Sequence, residues 1–303
     1  MEDAENGVVR PQQEFEKASL MELLPLSEKF DFLLSQGLTI RVYADSRPHI
    51  LQTMKLQKGA ILVLHGRELV EEGLGMGAPI CIFRDGARFS LSATTFVNYS
   101  EIHPSVLKVY DMNAIESKRF RRGTVSPASY TKHFLRILEM AYRGIRSLHR
   151  VAAMMLSVIS MMGLRNQYVE SQSRGQVHVT YAPCERGLRV YVEFDHLVTE
   201  GLRALVIGNE QGGRTFTEYS DALGVKLEGK QIEPWRSTSA EWATLRSPEF
   251  GIMFRLIRPD GWWISRGREV VKNRISWSGL NLVYDGMPAS KALEYRIVTS
   301  EDA

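Results

Sequence analysis

The residues best suited to chemistry gather near the C-terminal end of the chain: Trp262 and Trp263, then Arg266, Arg268 and Glu269, then Trp277, Asn281 and Tyr284. Indole faces stack on the apolar C–H faces of sugar rings, while guanidinium and carboxylate groups hydrogen-bond hydroxyls, so this mixture suits a saccharide cleft. Glu210, Arg214, Tyr219, Trp235 and Trp242 upstream have the same character. In an enzymatic version, Glu269 or Glu210 serves as base and His178 or His65 as acid. Arg214, Arg266 and Arg268 then hold a hydroxyl-rich or anionic sugar, and Tyr219, Trp235, Trp262 and Trp277 line the cleft. A lyase version sets an arginine against a uronate carboxylate. The plainer alternative is that the tryptophans fill a sheet core and the Arg and Glu side chains pair across exposed strands.

Other chemistries have less support. The seven histidines never stand as ligand pairs at i and i+4, and neither cysteine joins them, so no metal site is predicted. The run Gly73-Leu74-Gly75-Met76-Gly77 resembles a phosphate-cradling loop only superficially. That mechanism needs a helix after the glycines, and Pro79 with the β-type run Ile80 to Phe83 follows instead. No nucleotide or other cofactor is expected, and the glycines read as a bulge or a close approach of strands. No Gly-x-Ser-x-Gly element occurs, which removes the nucleophile-elbow hydrolases. Cys81 lies in an apolar run far from Cys184 and reads as a small buried hydrophobe.

The elements that must position these residues are mostly strands. Thr39 to Tyr43, Ile50 to Leu56, Ala60 to His65, Ile80 to Phe83, Arg88 to Val97 and Val106 to Tyr110 are short β-branched or alternating runs bounded by turn residues. Gly175 to Tyr181 and Leu188 to Phe194 form a hairpin with one apolar and one polar face. Further strands are predicted at Ala204 to Ile207, Thr215 to Tyr219, Gly251 to Ile257, Trp262 to Ser265, Arg274 to Trp277, Leu280 to Tyr284 and Ala292 to Val298. One long helix is predicted over 130–167, because Phe134, Leu138, Ala141, Ile145, Leu148, Ala152, Met155, Ile159 and Met162 recur at steps of four and three. The expected class is therefore mainly β with an α element: a large antiparallel β-sandwich or supersandwich over residues 38–303 interrupted by that helix. Residues 1–37 form a tail with short helical pieces ahead of it.

The Gly175 to Phe194 hairpin, the Trp277-Ser278-Gly279-Leu280-Asn281-Leu282-Val283-Tyr284 strand and the closing Leu293-Glu294-Tyr295-Arg296-Ile297-Val298 strand together resemble the antiparallel supersandwich of galactose mutarotase-like proteins. The resemblance covers roughly residues 38–300 and implies a sugar-facing cleft on one sheet. That superfamily includes aldose epimerases, polysaccharide lyases and noncatalytic domains. Its epimerases use a histidine acid and a glutamate base, and His178 and Glu269 stand in loosely comparable places.

Composition bounds the partners. Hydrophobic residues make up 44% and charged residues 24%, ordinary globular values that exclude wholesale disorder. The net charge of +3 comes from 38 basic and 35 acidic side chains, too even a balance for nucleic acid as main partner. The apolar run Val151 to Leu164 is shorter than the about 20 residues a membrane span needs. Met1 to Lys17 has no apolar core, so no secretory signal is read there and a cytoplasmic location is expected. The rival to a saccharide-binding or saccharide-modifying role is a noncatalytic assembly protein that forms a homodimer through the 130–167 helix.

Overall fold

The computed structural model describes residues 23–35, 37–48, 55–70, 73–84, 86–99, 104–121, 164–271 and 275–301. The chain divides into two compact units, Met1–Asn113 with Ser173–Ala303, and Ala114–Gln172. Of the second unit, the described residues, 114–121 and 164–172, are strand.

The strands are β1 (Leu23–Pro25), β2 (Lys29–Ser35), β3 (Leu38–Tyr43), β4 (Arg47–Pro48), β5 (Lys55–Leu56), β6 (Ile61–Leu64) and β7 (Arg67–Glu68). Then come β8 (Gly75–Phe83), β9 (Gly86–Tyr99), β10 (Pro104–Arg121), β11 (Leu164–Cys184), β12 (Gly187–Glu193), β13 (Leu202–Gly212), β14 (Glu218–Asp221) and β15 (Lys226–Glu228). The last are β16 (Arg236–Thr238), β17 (Trp242–Ser247), β18 (Ile252–Ile257), β19 (Trp263–Val271), β20 (Ile275–Asp285) and β21 (Ala292–Glu301).

One 15-stranded sheet runs β15-β14-β17-β18-β21-β12-β11-β10-β9-β8-β13-β20-β19-β16, with β1 added against β9. A four-stranded sheet, β2-β3-β6-β7, and a two-stranded one, β4-β5, complete the fold. The large sheet folds back on itself. Tyr295 on β21 donates to Asn209 Oδ1 on β13 (2.9 Å), and the hydroxyl of Ser278 on β20 donates to the Phe216 carbonyl (2.8 Å). Its two ends meet, because only residues 229–235 join β15 to β16, and the Thr238 hydroxyl reaches Asp221 Oδ2 at 3.4 Å. The result is β-sandwich-like and mostly β, as the alternating runs predict.

Period-two burial makes the core. Val177, Val179 and Tyr181 on β11 and Val190 and Val192 on β12 are fully buried, at about 1.5–3 kcal/mol for each large apolar side chain taken from water. Phe32, Leu38, Ile40 and Val42 of the small sheet join the same cluster, and the Leu62 amide donates to Gln211 Oε1 of β13 at 3.3 Å. A polar seam crosses this core. Lys108 on β10 is fully buried, and its ammonium donates to the carbonyls of Tyr43 and Lys58, both at 2.9 Å. The Tyr110 hydroxyl also donates to the Lys58 carbonyl (3.2 Å) and is bonded to the Tyr181 hydroxyl at 3.0 Å. Tyr181 in turn lies over Gly77, where a Cβ would stand 2.8 Å from the ring. Gly75 and Gly77 of the glycine run thus lie in β8, where Gly75 approaches Ala60, and Gly73 packs against Glu210, with no helix after them.

Three expectations are corrected. The helix over 130–167 does not extend to its C-terminal end, since β11 begins at Leu164. The four-three spacing stops at Met162, and Tyr168 and Val169, strand-favouring types, lie within β11. Among the described residues there is no α-helix, only a 3-10 turn at Gly229–Ile232, and the rest of that expected helix, 130–163, lies outside them. The short helices expected around Leu20 to Leu34 are, where described, strands. Phe30 and Phe32 alternate with Asp31 and the 76% exposed Leu33, and this period of two outweighs the leucine spacing. The boundary at residue 37 falls for the same reason, because β1 pairs with β9 and β2 with β3. Among the described residues no helix is long and apolar enough to cross a membrane.

Candidate functional site

The site lies on the outward face of β13, β20 and β19. Register places Glu210 opposite Gly279, and Gly279 opposite Gly267, so the three stand in one row across the sheet. In the next row Gly212 faces Trp277 and Trp277 faces Glu269. Successive strand residues point to opposite faces, which fixes what shares this side. It carries Glu210, Trp277, Asn281, Trp263, Ser265 and Glu269, while Ile207, Leu280, Leu282 and Ile264 on the other side are fully buried in the core.

The two glycines form a shelf. Trp235, just ahead of the edge strand β16, folds its indole back over them. A Cβ on Gly267 would overlap the ring, and one on Gly279 would stand 2.9 Å from Trp235 Cη2 and 2.7 Å from Glu210 Cγ. A side chain at either position would displace the indole, which is the reason two strand interiors carry glycine here. Trp235 Nε1 donates to Glu269 Oε1 at 2.7 Å, locking the ring orientation. Trp235 and Trp277 are half-buried and Glu269 is exposed.

Glu210 is buried beside this platform. Its Oε1 accepts from Asn281 Nδ2 (3.0 Å) and its Oε2 from the Leu74 amide (3.0 Å). Asn281 is held in turn, its Oδ1 accepting from the Asn209 amide at 2.9 Å. Burial raises the pKa of Glu210, and the nearby charge of Glu269 adds to it. The bonds from Asn281 and Leu74 and the charge of Lys58 pull the other way. The net direction is upward, so this carboxyl holds a proton more readily than a free one.

The arginines are elsewhere. Arg266 and Arg268 pair with Leu280 and Ser278, on the core side of β19, opposite to Glu269. Arg266 Nη1 donates to the Ile232 carbonyl (3.0 Å), and its guanidinium lies 5.2 Å from the ring centroid of Tyr219. Arg268 Nε donates to the Gly213 carbonyl (2.7 Å) and its Nη1 pairs with Glu233 Oε1 (2.9 Å). Tyr219 is a core residue whose hydroxyl donates to Asp221 Oδ2 at 2.7 Å, and burial raises its pKa. Trp262 is buried against Tyr284, with ring centroids 5.2 Å apart. Arg214 is exposed in the turn after β13.

The histidines do not join the glutamates. His65 occupies the β6–β7 turn at φ 48°, exposed and packed against Gly37. His178 is on β11 opposite Glu193, its ring centroid 4.7 Å from that of His196. Burial, and then His196, lower its pKa. The expected set therefore separates into three parts. Glu210, Glu269, Trp235 and Trp277 come together; Arg266, Arg268 and Tyr219 form a second group behind the sheet; and His65, His178, Trp262 and Arg214 are dispersed. Gly267 and Gly279 belong to the first group and were missed, although a glycine inside a strand pattern is a signal of close approach.

A scan against protein-family models finds no match for this chain, and a search of curated proteins finds no relative. Among the described residues no group of three or more His, Cys, Asp or Glu is placed to hold a metal ion.

Proposed function

We propose that this chain binds saccharides on the outward face of β13, β20 and β19, with Trp235 as the stacking platform. The observation that carries this reading is the indole packed over the Gly267–Gly279 shelf and fixed by Glu269. A ring held this way before binding loses little freedom when a sugar stacks on it, so more of the stacking energy appears as affinity. Glu269 holds the ring edge, and Ser265, Trp277 and Trp263 share this face of β19 and β20. A large antiparallel sheet with a tryptophan-bearing polar face also supports the likeness to galactose mutarotase-like supersandwiches.

Binding, rather than turnover by a histidine–glutamate pair, is the reading favoured, because His178 and His65 stand on other elements. The test is isothermal calorimetry and tryptophan fluorescence against a panel of neutral, acidic and amino oligosaccharides. Saturable binding that weakens at least about tenfold in Trp235→Ala is expected, the loss of one good aromatic contact. A panel with no binder, or a Trp235→Ala protein that binds as tightly as the parent, refutes it.

A further inference from the structure

Strand alternation sorts charge as well as hydrophobicity in this sheet. On the outward face, β13 presents Ala204, Val206, Gly208, Glu210 and Gly212; β19 presents Trp263, Ser265, Gly267 and Glu269; β20 presents Trp277, Gly279, Asn281, Val283 and Asp285. Every ionisable side chain in these rows is a carboxylic acid: Glu210, Glu269 and Asp285. The basic residues of β19 are on the other face, where Arg266 and Arg268 are already engaged by backbone carbonyls and by Glu233. Lys58, whose charge is felt by Glu210, is itself buried. Glu269 is exposed at the rim of the indole it orients, so its charge faces whatever lies on Trp235.

We propose that the Trp235 platform selects an amino sugar, a saccharide carrying a protonated amine, and rejects uronates and other acidic sugars. This rests on the saccharide reading above. An ammonium over an indole is attracted by the ring's negative face as well as by the carboxylate beside it, whereas a uronate carboxylate meets only repulsion there. The same sorting withdraws the arginine–uronate pairing that a lyase would require of this surface.

The experiment is calorimetric titration of the full chain with four probes of one length: glucosamine tetramer, its N-acetylated form, glucose tetramer and galacturonate tetramer, at a pH where the amine is protonated. The glucosamine tetramer should bind roughly fivefold tighter than the acetylated one, the scale of one exposed ion pair. Galacturonate should bind weaker than the neutral glucose tetramer by a similar factor. The preference should fade with added salt and vanish in Glu269→Gln, which keeps an oxygen to accept from Trp235 Nε1 and removes only the charge. The salt series needs no variant and guards against a Glu269→Gln protein that fails to fold. Equal binding of the glucosamine and acetylated tetramers, a preference untouched by salt, or tighter binding of galacturonate overturns the amino-sugar inference and leaves the saccharide reading standing. Failure of all four tetramers overturns the saccharide reading itself, and this inference with it.

Discussion

Replacing Lys108 by methionine should give a protein more stable than the parent at pH 7 and less stable above pH 10.5. The ammonium is fully buried, and burial drives its pKa from the ordinary 10.5 to about 7; Asp45 offsets this only in part. A pKa lowered on folding means that the unfolded chain holds the proton more tightly. The penalty is therefore absent above pH 10.5, grows as pH falls toward 7, and is complete below 7. At about 1.36 kcal/mol per unit, that gap corresponds to a penalty of about 4–5 kcal/mol at and below pH 7. Methionine removes it but leaves the Tyr43 carbonyl without this donor, at about 1–3 kcal/mol. The Lys58 carbonyl retains the Tyr110 hydroxyl. Lys108→Met should thus be more stable than the parent by about 2 kcal/mol at pH 7 and less stable above pH 10.5, the two curves crossing between. Urea unfolding followed by tryptophan fluorescence at intervals from pH 6.5 to 10.5 measures this, and groups that titrate in both proteins cancel in the difference. A stability difference that stays constant across the range refutes the argument.

Three further outcomes follow from the same geometry. Gly267→Ala should displace Trp235 at a stability cost of about 1–3 kcal/mol, seen as a change in near-ultraviolet circular dichroism together with weakened saccharide binding. An unchanged spectrum would mean that the indole does not lie on that shelf. Glu210→Gln carries a fixed cost, since glutamine has one acceptor oxygen for the two donors Asn281 Nδ2 and the Leu74 amide. Its stability relative to the parent should nevertheless fall as pH drops from 7 toward 4.5, because a carboxyl whose pKa is raised by burial is penalised only when ionised, and denaturation midpoints of both proteins at pH 7 and pH 4.5 would show it. Cys184, half-buried, should react with a thiol reagent in the native protein. Cys81, fully buried with its thiol pushed up to about 12, should react only on unfolding, and mass spectrometry of the labelled positions distinguishes them.

What the sequence made legible was local and periodic. The β11–β12 hairpin could be read from Val177, Val179 and Tyr181 set against Val190, Val192 and Phe194, because each apolar residue answers to the same buried layer. The strand at β2 was hidden because leucines at 20, 23, 24, 33 and 34 fit helical spacing as well as Phe30 and Phe32 fit a strand, and only pairing with β3 decides between them. Trp235 could be suspected as an aromatic but not located. Its partners Gly267, Gly279 and Glu269 are more than 30 residues away, and the contact exists only because β16 is hydrogen-bonded to β19.

The separation of arginines from glutamates was present in the sequence but could not be used. Arg266 and Arg268 stand at even positions and Glu269 at an odd one, which in a continuous strand settles their faces. The strand predicted from Trp262 to Ser265 ends before them, and Gly267 and Gly279 interrupt the β pattern of the sequence where the structure has the unbroken β19 and β20. The glycines that disguised these strands are the residues that admit Trp235. The polar network that fixes Glu210 also fills the gap between the two halves of the sandwich. Asn209 accepts from the Tyr295 hydroxyl of β21 and from the Gly77 amide, and its own amide holds Asn281 against Glu210. The outward carboxyl therefore takes its position from the packing of both sheet halves, and the surface around Trp235 has its shape set by folding.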